Sequence, residues 1–281
     1  MCMKNQAKYK VLLTVVIVSL CFNTLTAVAQ DTTALKKPAG DAAELAKKLA
    51  NPVASLISVP FQNNTDVGID ENNGYKNTLN VQPVIPITLS KNLNLITRYI
   101  LPIVTQRNIT GKNTKQSGLS DAVVSAFFSP SQPKNGLVWG IGPVFLVPTA
   151  TNDFLGTKKF GVGPTALVLK QTHGWTIGAL ANQIWSGAGD EQRTDVNQMF
   201  LQPFLNYNWK SGAGVGLSGE ITQNWVASST TAFIIPSISA VTKLGKQIVS
   251  LNIGPRIAVA APDGSKADFG IRAAVVFVFP K

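Results

Sequence analysis

From Val53 to the C-terminus the chain alternates apolar and polar positions with a period of two. Val249, Leu251, Ile253, Pro255, Ile257 and Val259 share one face, and Ser250, Asn252, Gly254, Arg256 and Ala258 share the other. Phe269, Ile271, Ala273, Val275, Phe277 and Phe279 repeat the pattern against Gly270, Arg272 and Ala274. Leu79 to Leu89 and Met199 to Trp209 do the same. Side chains of a strand point alternately to its two faces, so each run predicts a strand with one apolar and one polar or small face. A soluble sandwich alternates in this way too, so length has to decide. These runs extend over about 11 to 15 residues. Soluble strands usually have about five or six residues, and a tilted membrane-crossing strand needs roughly 9 to 11. Twelve segments follow, near 53–63, 76–89, 92–106, 118–129, 136–149, 159–170, 173–186, 197–210, 212–226, 231–244, 247–261 and 267–280. The predicted fold is all-β: a single antiparallel transmembrane β-barrel of about twelve strands over residues 51–281, preceded by a short N-terminal helix. An even count returns both termini to the periplasm.

The region before the barrel reads differently. Lys4, Lys8 and Lys10 precede the apolar run Val11 to Phe22, and Ala27-Val28-Ala29 supplies a small-x-small cleavage pattern. Residues 1–29 are therefore expected to be a cleaved signal peptide, too short in its apolar part to span a bilayer as a helix. A lipoprotein signal at Cys21 fits poorly, because Leu20 stands where a small residue is expected. Residues 30–50 read as a periplasmic leader, with Asp41 capping a short helix that ends before Asn51-Pro52.

The connections carry a second pattern. Asn64–Tyr75, Arg107–Ser117, Ala150–Lys158 and Gly187–Val196 are long and polar, whereas those near Ser90-Lys91, Ser129–Asn135, Gln171-Thr172, Ser211 and Gly245-Lys246 are shorter. Long extracellular loops alternating with short periplasmic turns are expected of such a barrel. Ala227–Thr230 is short and breaks the alternation. Asp66, Asp70, Glu71, Asp153, Asp190, Glu191, Asp195 and Asp263 fall on the expected outer side, and Lys91, Lys134, Lys170, Lys210 and Lys246 at inner turns. The five tryptophans lie near strand ends, where interfacial girdles form. Pro83, Pro143, Pro164, Pro203, Pro236 and Pro255 fall inside strands, where each removes a ladder donor. Their setting recurs as Gly140-Ile-Gly-Pro143, Gly161-Val-Gly-Pro164 and Asn252-Ile-Gly-Pro255, and predicts bends or bulges with glycines making room.

Leu49-Ala-Asn-Pro-Val-Ala-Ser-Leu-Ile-Ser-Val-Pro60, Gln82-Pro-Val-Ile-Pro86 and the repeated Gly-Pro strands resemble the meta-pathway phenol-degradation family of outer-membrane barrels. The resemblance runs from about Leu45 to the C-terminus. It implies a barrel that passes small molecules, aromatic ones among them, and brings no catalytic residues.

Composition agrees with export to an outer membrane. The chain is 45% hydrophobic and 14% charged, without a later apolar run long enough for a transmembrane helix. Signal cleavage would remove three basic residues and both cysteines, taking the net charge from +11 to +8. The basic balance is scattered and the chain exported, so no nucleic-acid partner is expected; outer-membrane lipid, the barrel assembly machinery and a small solute are. No cofactor or metal is expected, and no enzyme. His173, the single histidine, falls at an inner turn, away from any serine–carboxylate arrangement. Asp66, Asp70 and Glu71 could hold calcium weakly, though a solvated acidic loop is the plainer reading. The charges predicted to face the lumen are Arg98, Glu220, Arg256 and Arg272. A charge turned to lipid near the midplane costs roughly 2–4 kcal/mol, which forces them inward. They either bias a pore toward anions or polar solutes, or pair within a filled barrel, which inward Ile96, Leu167, Leu180 and Phe200 help to fill. A small-molecule channel without covalent chemistry is the first reading. A non-conducting barrel acting through its extracellular loops is the second.

Overall fold

The computed structural model describes residues 39–281 apart from 53, 55, 246, 280 and 281. The expected signal peptide, the Cys21 alternative, most of the leader and Lys246 lie outside the described residues. Helix α1 (Ala39–Leu49) precedes β1 (Ile57–Ile69), β2 (Gly74–Val81), β3 (Val84–Thr88), β4 (Leu93–Arg107), β5 (Lys115–Leu119), β6 (Ala122–Pro130), β7 (Leu137–Val147) and β8 (Lys159–Thr172). They are followed by β9 (Trp175–Gly189), β10 (Asn197–Asn208), β11 (Ala213–Asn224), β12 (Ser229–Leu244), β13 (Gln247–Pro255), β14 (Ile257–Ala260) and β15 (Phe269–Phe279). β2 with β3, β5 with β6, and β13 with β14 are single wall strands broken once, so the wall is a closed antiparallel barrel of twelve strands. Closure is made by β1 on β15, from Ile57↔Phe279 to Val67↔Phe269. α1 begins at Ala39, which puts Asp41 near its start.

The outward face is a belt of apolar side chains, among them Ile85, Ile87, Leu101, Ile103, Ile141, Ile177, Ile253 and Ile271. Trp139, Trp175 and Trp209 mark one end of the belt, where Tyr207 packs between Trp175 and Trp209 with centroids 4.8 and 5.4 Å away. Trp185 and Trp225 mark the other end. Rings that are apolar in body and polar at one edge settle at such boundaries.

The in-strand prolines interrupt the ladder without shifting it. Pairing stops on either side of Pro143 at Ser125↔Val144 and Phe128↔Ile141, which share one register. The same holds at Pro164, between Val162↔Trp185 and Thr165↔Asn182, and at Pro203, between Leu201↔Ile221 and Phe204↔Ser218. Pro236 and Pro255 face each other between Ile234↔Ile257 and Ile238↔Ile253. A bulge would slip the register by one, so these sites are gaps of one missing donor each. Glycine accommodates them. A methyl on Gly142, Gly163 or Gly254 would collide with the carbonyl of Ala126, Gln183 or Pro236, the acceptor left without the proline's N–H. One-residue slips occur elsewhere: at Ser120-Asp121, where β4 changes from Ile103↔Leu119 to Ile100↔Val123, and between Val67 and Ile69, Phe160 and Gly161, and Ala232 and Phe233.

The connections differ from expectation in one respect. β1 runs on to Ile69, and its connection to β2 is the tight turn 70–73, with φ of 63° at Asp70 and 52° at Asn73. Asn64–Tyr75 is therefore not a long loop, and Asp66 is a strand residue. The longer connections at that end are 108–114, 148–158, 190–196 and 261–268, and at the other end lie the turns 89–92, 131–136, 173–174 and 209–212. Of the eight acidic residues expected outside, all but Asp66 stand in connections at the long-connection end, while Glu44 lies on α1 and Glu220 within β11. Lys112, Lys158, Arg193 and Lys266 lie at that end as well, so the basic residues do not sort by side.

Candidate functional site

Alternation along the strands sends two kinds of side chain inward. From β3 to β10 Val84, Ile96, Phe127, Val138, Leu167, Leu169, Leu180 and Phe204 form one buried apolar cluster, with Phe200 against it. Val144, Leu146 and Ile184 extend the filling toward the long connections. Ile96, Leu167, Leu180 and Phe200 thus fill the lumen as the sequence suggested. From β11 round to β2 the inward face carries Asp66, Glu220, Arg256 and Arg272 beside buried Ile235, Val249 and Val278.

Three of the four expected lumenal charges meet there. Arg272 on β15 donates through Nε to Asn64 Oδ1 at 2.7 Å and through Nη2 to Glu220 Oε2 at 2.8 Å. Arg256, at the break between β13 and β14, donates through Nη1 to Asp66 Oδ2 at 2.5 Å and stands 3.8 Å from Glu220 Oε2. Its guanidinium lies 3.2 Å over the centroid of Phe233 on β12. The network therefore joins β1, β11, β12 and β15. Asp66 Oδ1 and Arg256 Nε are buried without a partner among the described residues. Arg98 stands apart on β4, donating to Gln82 Oε1 at 2.8 Å. Asp66, Asn64, Phe233 and Lys76, the residue directly opposite Asp66 on β2, were not among the expected site residues. Strand parity would have placed Lys76 inward once β1 was known to extend past Asp66.

Below this network, toward the short turns, lies a cavity of about 270 Å³. Its walls carry Gln62, Gln202, Asn206, Asn208, Asn252 and Arg272, and Ala46, Leu49, Ala50 and Pro52 close its end. α1 is held at this mouth by Gln171 Nε2, which donates to the Lys47 carbonyl at 2.7 Å, and by Ala42 against Gly212. A second cavity of about 110 Å³ adjoins it, sharing Leu49, Pro52, Pro60, Gln82 and Val276 and bordered by Arg98.

At the opposite mouth, buried Asp121 organises the 148–158 connection. Its Oδ2 accepts from the Thr157 backbone N–H at 2.6 Å and from Thr157 Oγ1 at 2.7 Å, and its Oδ1 from the Ala150 N–H at 3.2 Å. Arg193 Nη2 donates to the Asp153 and Gly156 carbonyls at 2.7 and 2.6 Å, tying this connection to the next. Lys158 lies 2.9 Å from Asp153, and Lys159 2.9 Å from Asp195. A hydrogen bond from each lysine, followed by its charge at Asp153 and by the Ser186 hydroxyl and then the charge at Asp195, lowers both carboxyl pKa values below the ordinary aspartate range. Asp70 and Glu71 stand in the 70–73 turn while Asp66 turns into the lumen, so the three do not form a calcium site. His173 occupies a two-residue turn with φ of 46°, its Nδ1 2.8 Å from the neighbouring Thr172 hydroxyl.

No family model matches the chain, and no curated protein matches it. Among solved structures it is similar to an outer membrane channel from Pseudomonas putida F1, with a TM-score of 0.63 over 82% of this chain and 97% of that one, at 16% identity. The chain has the fold of an outer-membrane β-barrel. Outer membrane phospholipase A from Escherichia coli is a more distant match to the barrel, with a TM-score of 0.46 at 10% identity, covering 86% of this chain and 98% of that one.

Proposed function

We propose that this protein is an outer-membrane channel for small molecules, with a lumen that favours anions and performs no covalent chemistry. The observation that carries this reading is the charge balance of the polar wall. Lys76, Arg256 and Arg272 stand there against two carboxylates, Asp66 and Glu220, and Arg98 on β4 adds a further cation. Fixed charges in a narrow, partly dehydrated passage bias it toward counter-ions, because the surrounding low dielectric weakens screening. Both ends of the barrel chain lie beside the short turns, which we place in the periplasm, with the longer connections outside the cell. Delivery to the membrane would then use the barrel assembly machinery. The resemblance to phenol-degradation barrels adds aromatic compounds to the candidate solutes.

A second reading has its own observation: the apolar filling from β3 to β10 and the helix across one mouth suit a barrel that does not conduct and acts through its outer connections. Planar bilayers with purified protein under a KCl gradient separate the two. The channel reading expects discrete openings and a reversal potential shifted toward that of chloride. A shift toward potassium would remove the anion bias. Complete absence of openings would leave the non-conducting barrel.

A further inference from the structure

Arg98 is a half-buried cation whose hydrogen-bond partner among the described residues is the neutral amide of Gln82. Arg256 and Arg272, by contrast, are matched by carboxylates. A guanidinium partly shielded from water and held by a neutral partner favours an incoming anion, and a carboxylate suits its planar donor edge. The space available is the cavity of about 110 Å³ that Arg98 borders. It adjoins the cavity of about 270 Å³, with Leu49, Pro52, Pro60, Gln82 and Val276 lining both, so a molecule that displaces the Gln82 side chain can reach from one into the other. The character of the wall changes along that path. In the larger cavity side-chain amides and serine hydroxyls predominate, and each can both donate and accept. Asn208 Nδ2 is buried there without a partner among the described residues. Phe204 and Ile235 supply an apolar strip on one side. Groups that donate and accept at close spacing are what hydroxyls require, and the strip suits the C–H face of a short carbon chain.

We propose that these joined cavities form a binding site for a small polyhydroxylated carboxylate, an acid of the sugar-acid class, with the carboxylate at Arg98 and the hydroxyls among Gln202, Asn206, Asn208 and Asn252. The inference deepens the channel reading, since the site lies on the proposed passage, but binding does not depend on conduction.

The test uses the folded full-length barrel in detergent, with folding confirmed by heat-modifiable gel mobility, and isothermal titration with three probes. Gluconate carries both features, butyrate the carboxylate without hydroxyls, and sorbitol the hydroxyls without charge. Gluconate is expected to bind roughly tenfold or more tighter than either of the others, the loss that follows from leaving a charged or several neutral hydrogen bonds unmade. Arg98→Gln should abolish the preference for gluconate over sorbitol, and Arg98→Lys should restore part of it. Asn206→Leu should reduce the preference over butyrate while leaving the preference over sorbitol. Equal binding of gluconate and butyrate, equal binding of gluconate and sorbitol, or no binding of gluconate to folded protein would each overturn the proposal. Gluconate binding without channel openings would keep this site and remove the channel reading. Anion-selective openings without gluconate binding would do the reverse.

Discussion

At Gly254 the space for a side chain is already taken by the Pro236 carbonyl, and that contact makes the proline gap tolerable. Gly254→Ala pushes a methyl into backbone, which cannot swing away as a flexible side chain could. Overpacking of this kind costs about 1–3 kcal/mol, and urea unfolding in detergent should show a correspondingly lower midpoint. Gly187→Ala is the matched control: nothing lies within 4 Å of its added carbon, so the midpoint should stay within about 0.5 kcal/mol of the parent. Equal destabilisation of both variants would show that the carbonyl contact is not the cause. Glu220 makes a second residue-scale case. It accepts from Arg272 at 2.8 Å and stands 3.8 Å from Arg256, so Glu220→Gln leaves two guanidinium groups undercompensated. A loss of about 1.5–3 kcal/mol is expected, together with stronger anion preference in bilayers. Stability unchanged by Glu220→Gln would mean that water already compensates the cluster. The inward direction of Arg98, Glu220, Arg256 and Arg272 was legible because each sits in a strand with a clear apolar face. Asp66 was not, because Asn63 and Thr65 make the outward face beside it polar too.

That blind spot belongs to an element. β1 and β2 continue their ladder past the apolar belt, from Asn63↔Leu79 to Val67↔Tyr75, and Asn63, Thr65 and Asn77 hydrogen-bond one another on the outward face. Beyond the lipid, neither face of a strand has to be apolar, so the period-two signal stops while the strand does not. The prolines misled in the opposite sense: they marked gaps, whereas the slip at Ser120-Asp121 carries no glycine or proline of its own. That slip places Asp121 under the 148–158 connection, whose outer rim is held by the Asp153–Lys158 pair. The lowered carboxyl pKa of Asp153 means that the pair's contribution is complete above the ordinary aspartate value of about 3.9 and is lost as pH falls through the lowered value. Asp195 beside Lys159 follows the same sign. Hydrogen exchange of 148–158 and 190–196, corrected for intrinsic rates, should therefore stay flat from neutral pH to about 4 and rise only below it. Loosening near pH 6 would mean that other groups hold these connections. At the other mouth, α1 covers the larger cavity through few contacts. Removing Ala39 to Ala50 should raise single-channel conductance without changing heat-modifiable mobility, and unchanged conductance would show that the helix does not obstruct the passage.

On the scale of the whole molecule, closure, strand number and girdles were legible because the bilayer sets them. A wall with lipid outside must be apolar there, must pair every strand, and must reach across about 9 to 11 residues. The division of the lumen was not legible, since inward apolar and inward polar positions alternate with the same period. The sidedness we propose, with both termini in the periplasm, rests on two features of the wall. Ile57 pairs with Phe279, so both ends of the wall lie beside the short turns, and the 190–196 connection lies at the far rim. A chain threaded from the periplasm leaves its ends there and projects its longer connections outward. If the signal segment is removed, both cysteines go with it, and an introduced cysteine becomes a clean reporter. Glu191→Cys should react with a membrane-impermeant maleimide on intact cells. Lys210→Cys, in the 209–212 turn beside α1, should react only after the outer membrane is permeabilised. The reverse pattern would invert the barrel in the membrane, putting the helix and the gluconate site at the cell surface and leaving the Asp121-anchored connection to face the periplasm.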